Sequence, residues 1–242
     1  MVDHGSTDGS LDIVHSDAFR PHLAGLERIP FDGTFTLRTM LDAKMRVGEA
    51  SGADWLMNVC PDEILHSNRP GRALLDEVSD FDDRGFNAAN FDEFVFLPIE
   101  GPLEDGLRGW PSCRHYYFFE PRRFRQYRLW KTGLGFSMAN RAGSRLGGRK
   151  LRLAPESLVL RHYIFRSQEH AREKLVARRF AAEELERGWH GDRNGFGADA
   201  FTFPPASALK MLPSPDSFVF ERTDPWKDHY WVETAGGRTR AA

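Results

Sequence analysis

The spacing of apolar positions switches repeatedly along the first half of the chain. Leu37, Met40, Leu41, Met45 and Val47 recur near helical spacing, which predicts an amphipathic helix over residues 36–50, ended by Ser51-Gly52. Leu74, Leu75, Val78 and Phe81 mark a second helix. Trp55–Val59 is flanked by turn residues and too short for a helix, so it reads as a buried strand, and Phe91–Leu97 reads as another, stopped by Pro98. At the start, Met1–Asp3 has the character of a strand end. Gly5 and Gly9 are turn residues there, and Ser6 and Thr7 are cap candidates for a short helix around Leu11–Val14. Further on, residues 99–113 form a Gly- and Pro-rich loop, and Tyr116–Phe119, Tyr127–Trp130 and Leu158–Phe165 are strand-like. A Gly-rich stretch fills 133–148, a charged helix is predicted over 168–187, and the tail from Gly188 is rich in Pro, Gly and aromatics. Strands alternating with helices predict an α/β fold with a mostly parallel sheet. Ligands of such sheets sit beyond the C-terminal strand ends, which points to the bends at Asp3–Asp8 and Cys60–Glu63.

Composition adds limits. The 242 residues are 40% hydrophobic and 28% charged, an ordinary globular balance that excludes a disordered or fibrous chain. No apolar run approaches the roughly 20 residues of a membrane helix. Two cysteines, Cys60 and Cys113, are too few for a disulfide framework or a four-cysteine zinc site, and with no basic-then-apolar leader pattern a cytoplasmic setting is expected. Charge is segregated. Residues 1–105 carry a net −13, residues 106–180 a net +14, and residues 181–242 a net −3. Acidic and basic blocks in sequence fit a site where a metal meets a phosphate-bearing ligand, and equally fit two lobes that neutralise one another. The basic block lacks any nucleic-acid reader motif, so nucleic acid is not an expected partner.

Two segments carry candidate chemistry. In Asp3-His4-Gly5-Ser6-Thr7-Asp8-Gly9-Ser10 an acidic residue at a strand end precedes a glycine turn and hydroxyls ahead of a helix. The carboxylate can accept hydrogen bonds from a base or ribose while glycines let backbone approach, though the same residues also make an ordinary turn and cap. In Gly52-Ala53-Asp54-Trp55-Leu56-Met57-Asn58-Val59-Cys60-Pro61-Asp62-Glu63 a strand ends in an acidic pair whose oxygens suit Mg²⁺ or Mn²⁺ against a diphosphate, or a solvated turn.

In this order and spacing, with one helix between them, the two segments resemble the family 2 glycosyltransferases of the GT-A type, which carry a "DxGSTDGS" turn and then a "GADWxxxxDxDE" strand. Arg128-Leu129-Trp130-Lys131, the stretch from Leu160 to Ser167, and Arg187-Gly188-Trp189-His190 are also similar to bacterial members, so the resemblance spans about residues 2–190. It implies a GT-A, Rossmann-like nucleotide-diphospho-sugar transferase fold over residues 1–166, with residues 167–242 as a C-terminal helix and aromatic tail packed on it. The family's first strand and helix have no counterpart, so the implied fold is truncated at its N-terminus. The implied activity is inverting transfer of a sugar from a nucleotide-sugar donor to the hydroxyl of a glycan, polysaccharide or lipid-linked acceptor. The lipid-linked case brings peripheral contact with the inner face of a membrane. Asp3 would contact the nucleobase or ribose, and Lys44, on the intervening helix, would reach the nucleotide. Asp62 would bind Mn²⁺ or Mg²⁺, Glu63 would support the metal shell or the sugar, and His162 would return to the metal from a later strand.

Position 60 departs from the pattern. Cys60 stands where the family has the first aspartate of its DxD motif, and a thiol is a poor ligand for a hard cation. The alternative reading is therefore a degenerate, non-catalytic nucleotide- or glycan-binding remnant. For the base that deprotonates the acceptor, Asp92, Glu93, Glu100, Glu104 and Asp105 all lie near the third strand and its loop. Arg122, Arg123, Arg125, Arg128 and Lys131 are candidates for phosphate or an anionic acceptor.

Overall fold

A computed structural model describes residues 1–100, 113–121, 128–138, 146–176, 178–190, 197 and 201–231. Among these, the central element is a five-stranded mixed sheet. Its strands are β5 (Glu63–His66), β7 (Phe91–Phe96), β8 (His115–Phe118), β10 (Leu158–His162) and β12 (Lys210–Met211), in the order β12-β8-β7-β10-β5. A three-stranded antiparallel sheet is built from β4 (Trp55–Met57), β9 (Leu129–Lys131) and β6 (Ala88–Ala89). Two short parallel pairs complete the strands. One joins β1 (Val2–Asp3) to β2 (Glu27–Arg28), and the other joins β3 (Thr34–Phe35) to β11 (Arg179–Phe180). The helices are α1 (Ser10–His15), α2 (Leu37–Ala50), α3 (Leu74–Asp83), α4 (Gln168–Val176) and α5 (Ala182–Glu186).

The fold is α/β, but the expectation of a mostly parallel sheet is overturned. In the five-stranded sheet only β7 and β10 run parallel, and the other three pairings are antiparallel. The reason lies in the connections. A parallel neighbour requires a crossover that returns to the same sheet. Here α2 leads from β3 into the three-stranded sheet, and α3 leads from β5 of the large sheet to β6 of the small one. Two other expectations change. Residues 168–187 are not one helix, because α4 ends at Val176 and β11 precedes α5. The strand at Trp55 stops at Met57, which is exposed, as is Val59.

Strand β7 shows why this sheet is central. Its sequence, Phe-Asp-Glu-Phe-Val-Phe, buries residues on both faces, and Phe94, Val95 and Phe96 are wholly buried. Phe94 and Phe96 pack with Tyr116, Phe118, Val159, Leu212 and Phe220 on one face. Val95 and Leu97 pack with Tyr117, Phe165, Leu175, Trp226 and Trp231 on the other. Helix α3 places Phe81 in a cluster with Phe91, Leu129, Leu158 and Leu160, while Leu75, expected inside, is 80% exposed. Helix α2 sets Leu41 against Ala88, Trp130 and Met138 of the small-sheet core. Among the described residues no helix is long and apolar enough to cross a membrane.

Register positions the site. Glu63 pairs with His162, and His162 pairs with Val95, so these residues form a row across one face. One rung back along the same face, Leu160 stands opposite Glu93. Three titratable residues far apart in the chain are thus neighbours on the same side of the sheet.

Candidate functional site

The acidic bend at residues 60–63 enters β5 rather than leaving a strand. Because β5 is antiparallel to β10, the bend still lies beside the C-terminal end of β10. Glu63 is buried, and both its oxygens take the guanidinium fork of Arg128, at 2.7 and 3.0 Å. It also accepts the Cys60 backbone N–H at 2.8 Å, which closes the bend. Arg128 is itself buried, so the pair is a desolvated, bidentate one.

Asp62 is the more accessible carboxylate. Its Oδ2 accepts Lys174 Nζ at 2.9 Å and lies 3.8 Å from His162 Nε2. His162 Nδ1 donates to Glu93 Oε1 at 2.7 Å. Burial pushes the His162 pKa down, but the hydrogen bonds and charges of Asp62 and Glu93 outweigh it and raise the imidazole to about 10. The same contacts overcome burial at Glu93 and hold it at about 2, and they keep Asp62 far below the carboxylate range. At neutral pH this is an Asp–imidazolium–Glu chain. From α2, Lys44 Nζ donates to Asn58 Oδ1 at 3.0 Å and lies 3.6 Å from Cys60 Sγ.

The first bend is built differently. Asp3 is buried at the end of β1, where its carboxylate accepts the Ser6 backbone N–H at 3.2 Å and faces Arg28 Nε at 3.3 Å. Burial opposes ionisation, but these partners hold Asp3 below its ordinary pKa. The carboxylate thus braces its own turn. His4 packs edge-on against Phe31, with ring centroids 5.1 Å apart. Phe31 and Lys174 then share a cleft of 370 Å³ with His170, Glu173 and Arg178. Each acidic bend touches one wall of this cleft without lining it: His4 packs on Phe31, and Asp62 holds Lys174.

The structure therefore brings Lys44, Asp62, Glu63, His162 and Glu93 together. It separates the remaining base candidates. Asp92 is on the opposite face of the sheet and pairs with Arg222 at 2.9 Å, and Glu100 lies 3.3 Å from His115. Glu104 and Asp105 lie outside the described residues, as do Arg122, Arg123 and Arg125. Of the other basic candidates, Arg128 is engaged by Glu63 and Lys131 by Asp82. The cations that face the cleft, Lys174 and Arg178, went unrecognised in the sequence. Helical spacing from His170 reaches Lys174 within α4, but Arg178 lies beyond the end of that helix and carried no such signal.

Ligand atoms of Cys60, Asp62 and Glu63 lie within 4.8 Å of one another, so a single cation is within reach of all three. The chemistry of this set opposes Mn²⁺ or Mg²⁺. Both Glu63 oxygens belong to Arg128, Asp62 is neutralised by Lys174 and an imidazolium, and the third donor is a thiol beside Lys44. As arranged, these residues do not fit a hard divalent ion. No protein-family model matches the chain, and no curated protein matches it.

Proposed function

We propose that the chain is a glycosyltransferase that binds a nucleotide-sugar donor in the cleft lined by Phe31, Lys174 and Arg178. An acceptor hydroxyl would attack the anomeric carbon while the bond to the diphosphate oxygen breaks, with inversion. The observation that carries this reading is that the Asp3–Ser10 turn and the Asp62 bend, matched to the family pattern in sequence, each touch a residue lining one cationic cleft, His4 on Phe31 and Asp62 on Lys174. The leaving diphosphate needs positive charge, which Lys174 and Arg178 offer. The imidazolium of His162 keeps Asp62 ionised and in place, so that Lys174 is held at the cleft wall. The acceptor on this reading is a glycan or lipid-linked hydroxyl.

The test is release of nucleoside diphosphate from a panel of nucleotide sugars, with and without candidate acceptors. Asp62→Ala is expected to abolish turnover while thermal unfolding shows the variant folded, and undiminished turnover would remove Asp62 from the site. A second reading is favoured by Cys60 and by the complete pairing of Glu63: the same cleft binds a nucleotide without turning it over. Tight nucleotide binding with no release from any donor would select it.

A further inference from the structure

We propose that the cleft of Lys174 and Arg178 is a metal-independent diphosphate site, in which these two side chains take the phosphates directly. For the nature of the ligand this rests on the nucleotide-sugar reading above, which it deepens by assigning the cations that replace the metal.

Four observations lead there. The first is the electrostatic state of Arg178. Its guanidinium lies 4.9 Å from the Phe35 ring centroid, and among the described residues no carboxylate comes within ion-pair distance of it. Burial lowers its pKa, and the charge of Asp62 offsets this only in part, so the guanidinium is short of solvent. An anion entering the cleft would supply the direct ion pair that Arg178 lacks among the described residues. The second is Lys174, whose ammonium gives one hydrogen bond to Asp62 and one, at 3.0 Å, to the Ile164 carbonyl. An ammonium has three donors, and these two contacts use two of them. Asp62 and Ile164 fix its position, which makes the site preorganised.

The third is the balance of charge around the cleft. His170 accepts the Arg166 backbone N–H at 3.1 Å, and burial together with the charges of Lys174 and Arg166 pushes its pKa down. Glu173 also lines the cleft, but it is exposed. The fourth is Phe31, which is 50% exposed and lines the same cleft, so an aromatic face stands beside the cations as a platform on which a base can stack. The volume of 370 Å³ falls within the usual range for small-molecule clefts. The carboxylates at the Cys60 bend are already paired, Glu63 with Arg128 and Asp62 with Lys174.

The experiment is calorimetric titration of the full chain with inorganic pyrophosphate, UDP and GDP, once in EDTA and once with Mn²⁺. The expected result is binding in EDTA that Mn²⁺ changes by no more than about twofold. Arg178→Gln is expected to weaken it about tenfold or more, the loss of a charge-assisted contact. Arg178→Lys is expected to retain part of the affinity, and Lys131→Gln, in a different cleft, to leave it unchanged. Thermal unfolding of each variant checks that it is folded. Binding that appears only with Mn²⁺, binding untouched by Arg178→Gln, or no binding of any probe overturns the proposal. The two readings fail separately. Titratable binding in EDTA without release from any nucleotide sugar defeats sugar transfer and leaves the anion site standing. Turnover that vanishes in EDTA does the reverse.

Discussion

His162 is the residue on which most of the buried charge turns. It sits between Asp62 and Glu93, and removing it strands a buried carboxylate. His162→Gln is expected to cost about 3–5 kcal/mol in denaturant unfolding, the usual penalty for orphaning one member of a buried pair. The linkage has a definite sign. The His162 pKa is raised from 6.5 to about 10, so its contribution is fully present below pH 6.5 and lost as pH climbs towards about 10. The Glu93 pKa is depressed from 4.5 to about 2, so its contribution is present above pH 4.5 and lost as pH falls towards about 2. Stability measured against pH is therefore expected to fall on both sides of a plateau near pH 4.5–6.5, with the alkaline limb missing in His162→Gln. The Glu63–Arg128 pair follows the same physics. Arg128→Met alone should be strongly destabilising, while Arg128→Met with Glu63→Gln should recover much of the loss, because the double change removes both charges of the pair together.

At the scale of elements, the start of α2 depends on a distant carboxylate. Thr36 makes no side-chain cap, and the amides of Leu37 and Arg38 instead donate to Glu184, at 3.0 and 2.7 Å. Glu184 also accepts His190 Nε2 at 2.7 Å, and its negative charge sits where the helix dipole favours it. Glu184→Ala is expected to cost about 1–2 kcal/mol and to speed hydrogen exchange at the Leu37 and Arg38 amides, with exchange elsewhere in α2 less affected. The glycine turn that opens the first bend makes two demands. Gly5 has a φ of +69°, and a Cβ there would lie 2.7 Å from Phe31 Cβ, so Gly5→Ala meets both backbone strain and the wall of the cleft. Gly9, with a φ of +80° and its nearest neighbour at 3.9 Å, faces the backbone penalty alone. Gly9→Ala should therefore cost about 1 kcal/mol, and Gly5→Ala measurably more in the same unfolding experiment.

Across the whole molecule, the C-terminal segment closes the core rather than trailing from it. Leu212 and Phe220 cover one face of the large sheet, while Trp226, Tyr230 and Trp231 pack on the other with Phe165 and Leu175. Arg161 ties this cover down through the carbonyls of Pro215 and Ser217, at 2.8 and 2.7 Å. A chain ending at residue 200 would expose both faces of β7 and is expected to lose its cooperative unfolding transition, read by tryptophan fluorescence and calorimetry. The charge blocks also find their meaning here. Asp62 with Lys174, Glu63 with Arg128 and Asp82 with Lys131 each join the acidic block to the basic one. Segregated charge along the chain thus became neutralisation across contacts.

The amino-acid sequence by itself determined the local elements with strong periodicity. Helix α2 lies where Leu37, Met40, Leu41 and Met45 placed it, β7 where Phe91–Leu97 did, and the bend at Asp3 falls at a strand end. These depend on neighbours in sequence, through turn conformation and side-chain period. Tertiary structure alone decided which strands pair and in what direction. It also decided that Glu63, His162 and Glu93 share one face, and that Arg128, 65 residues from Glu63, neutralises it. Strand direction and register are set by packing between distant segments, and a carboxylate's chemistry is set by whichever charge that packing brings beside it. This is why Asp62 and Glu63 look alike along the chain and differ in the fold: one is locked to a buried guanidinium, while the other holds a lysine at the edge of an open cleft.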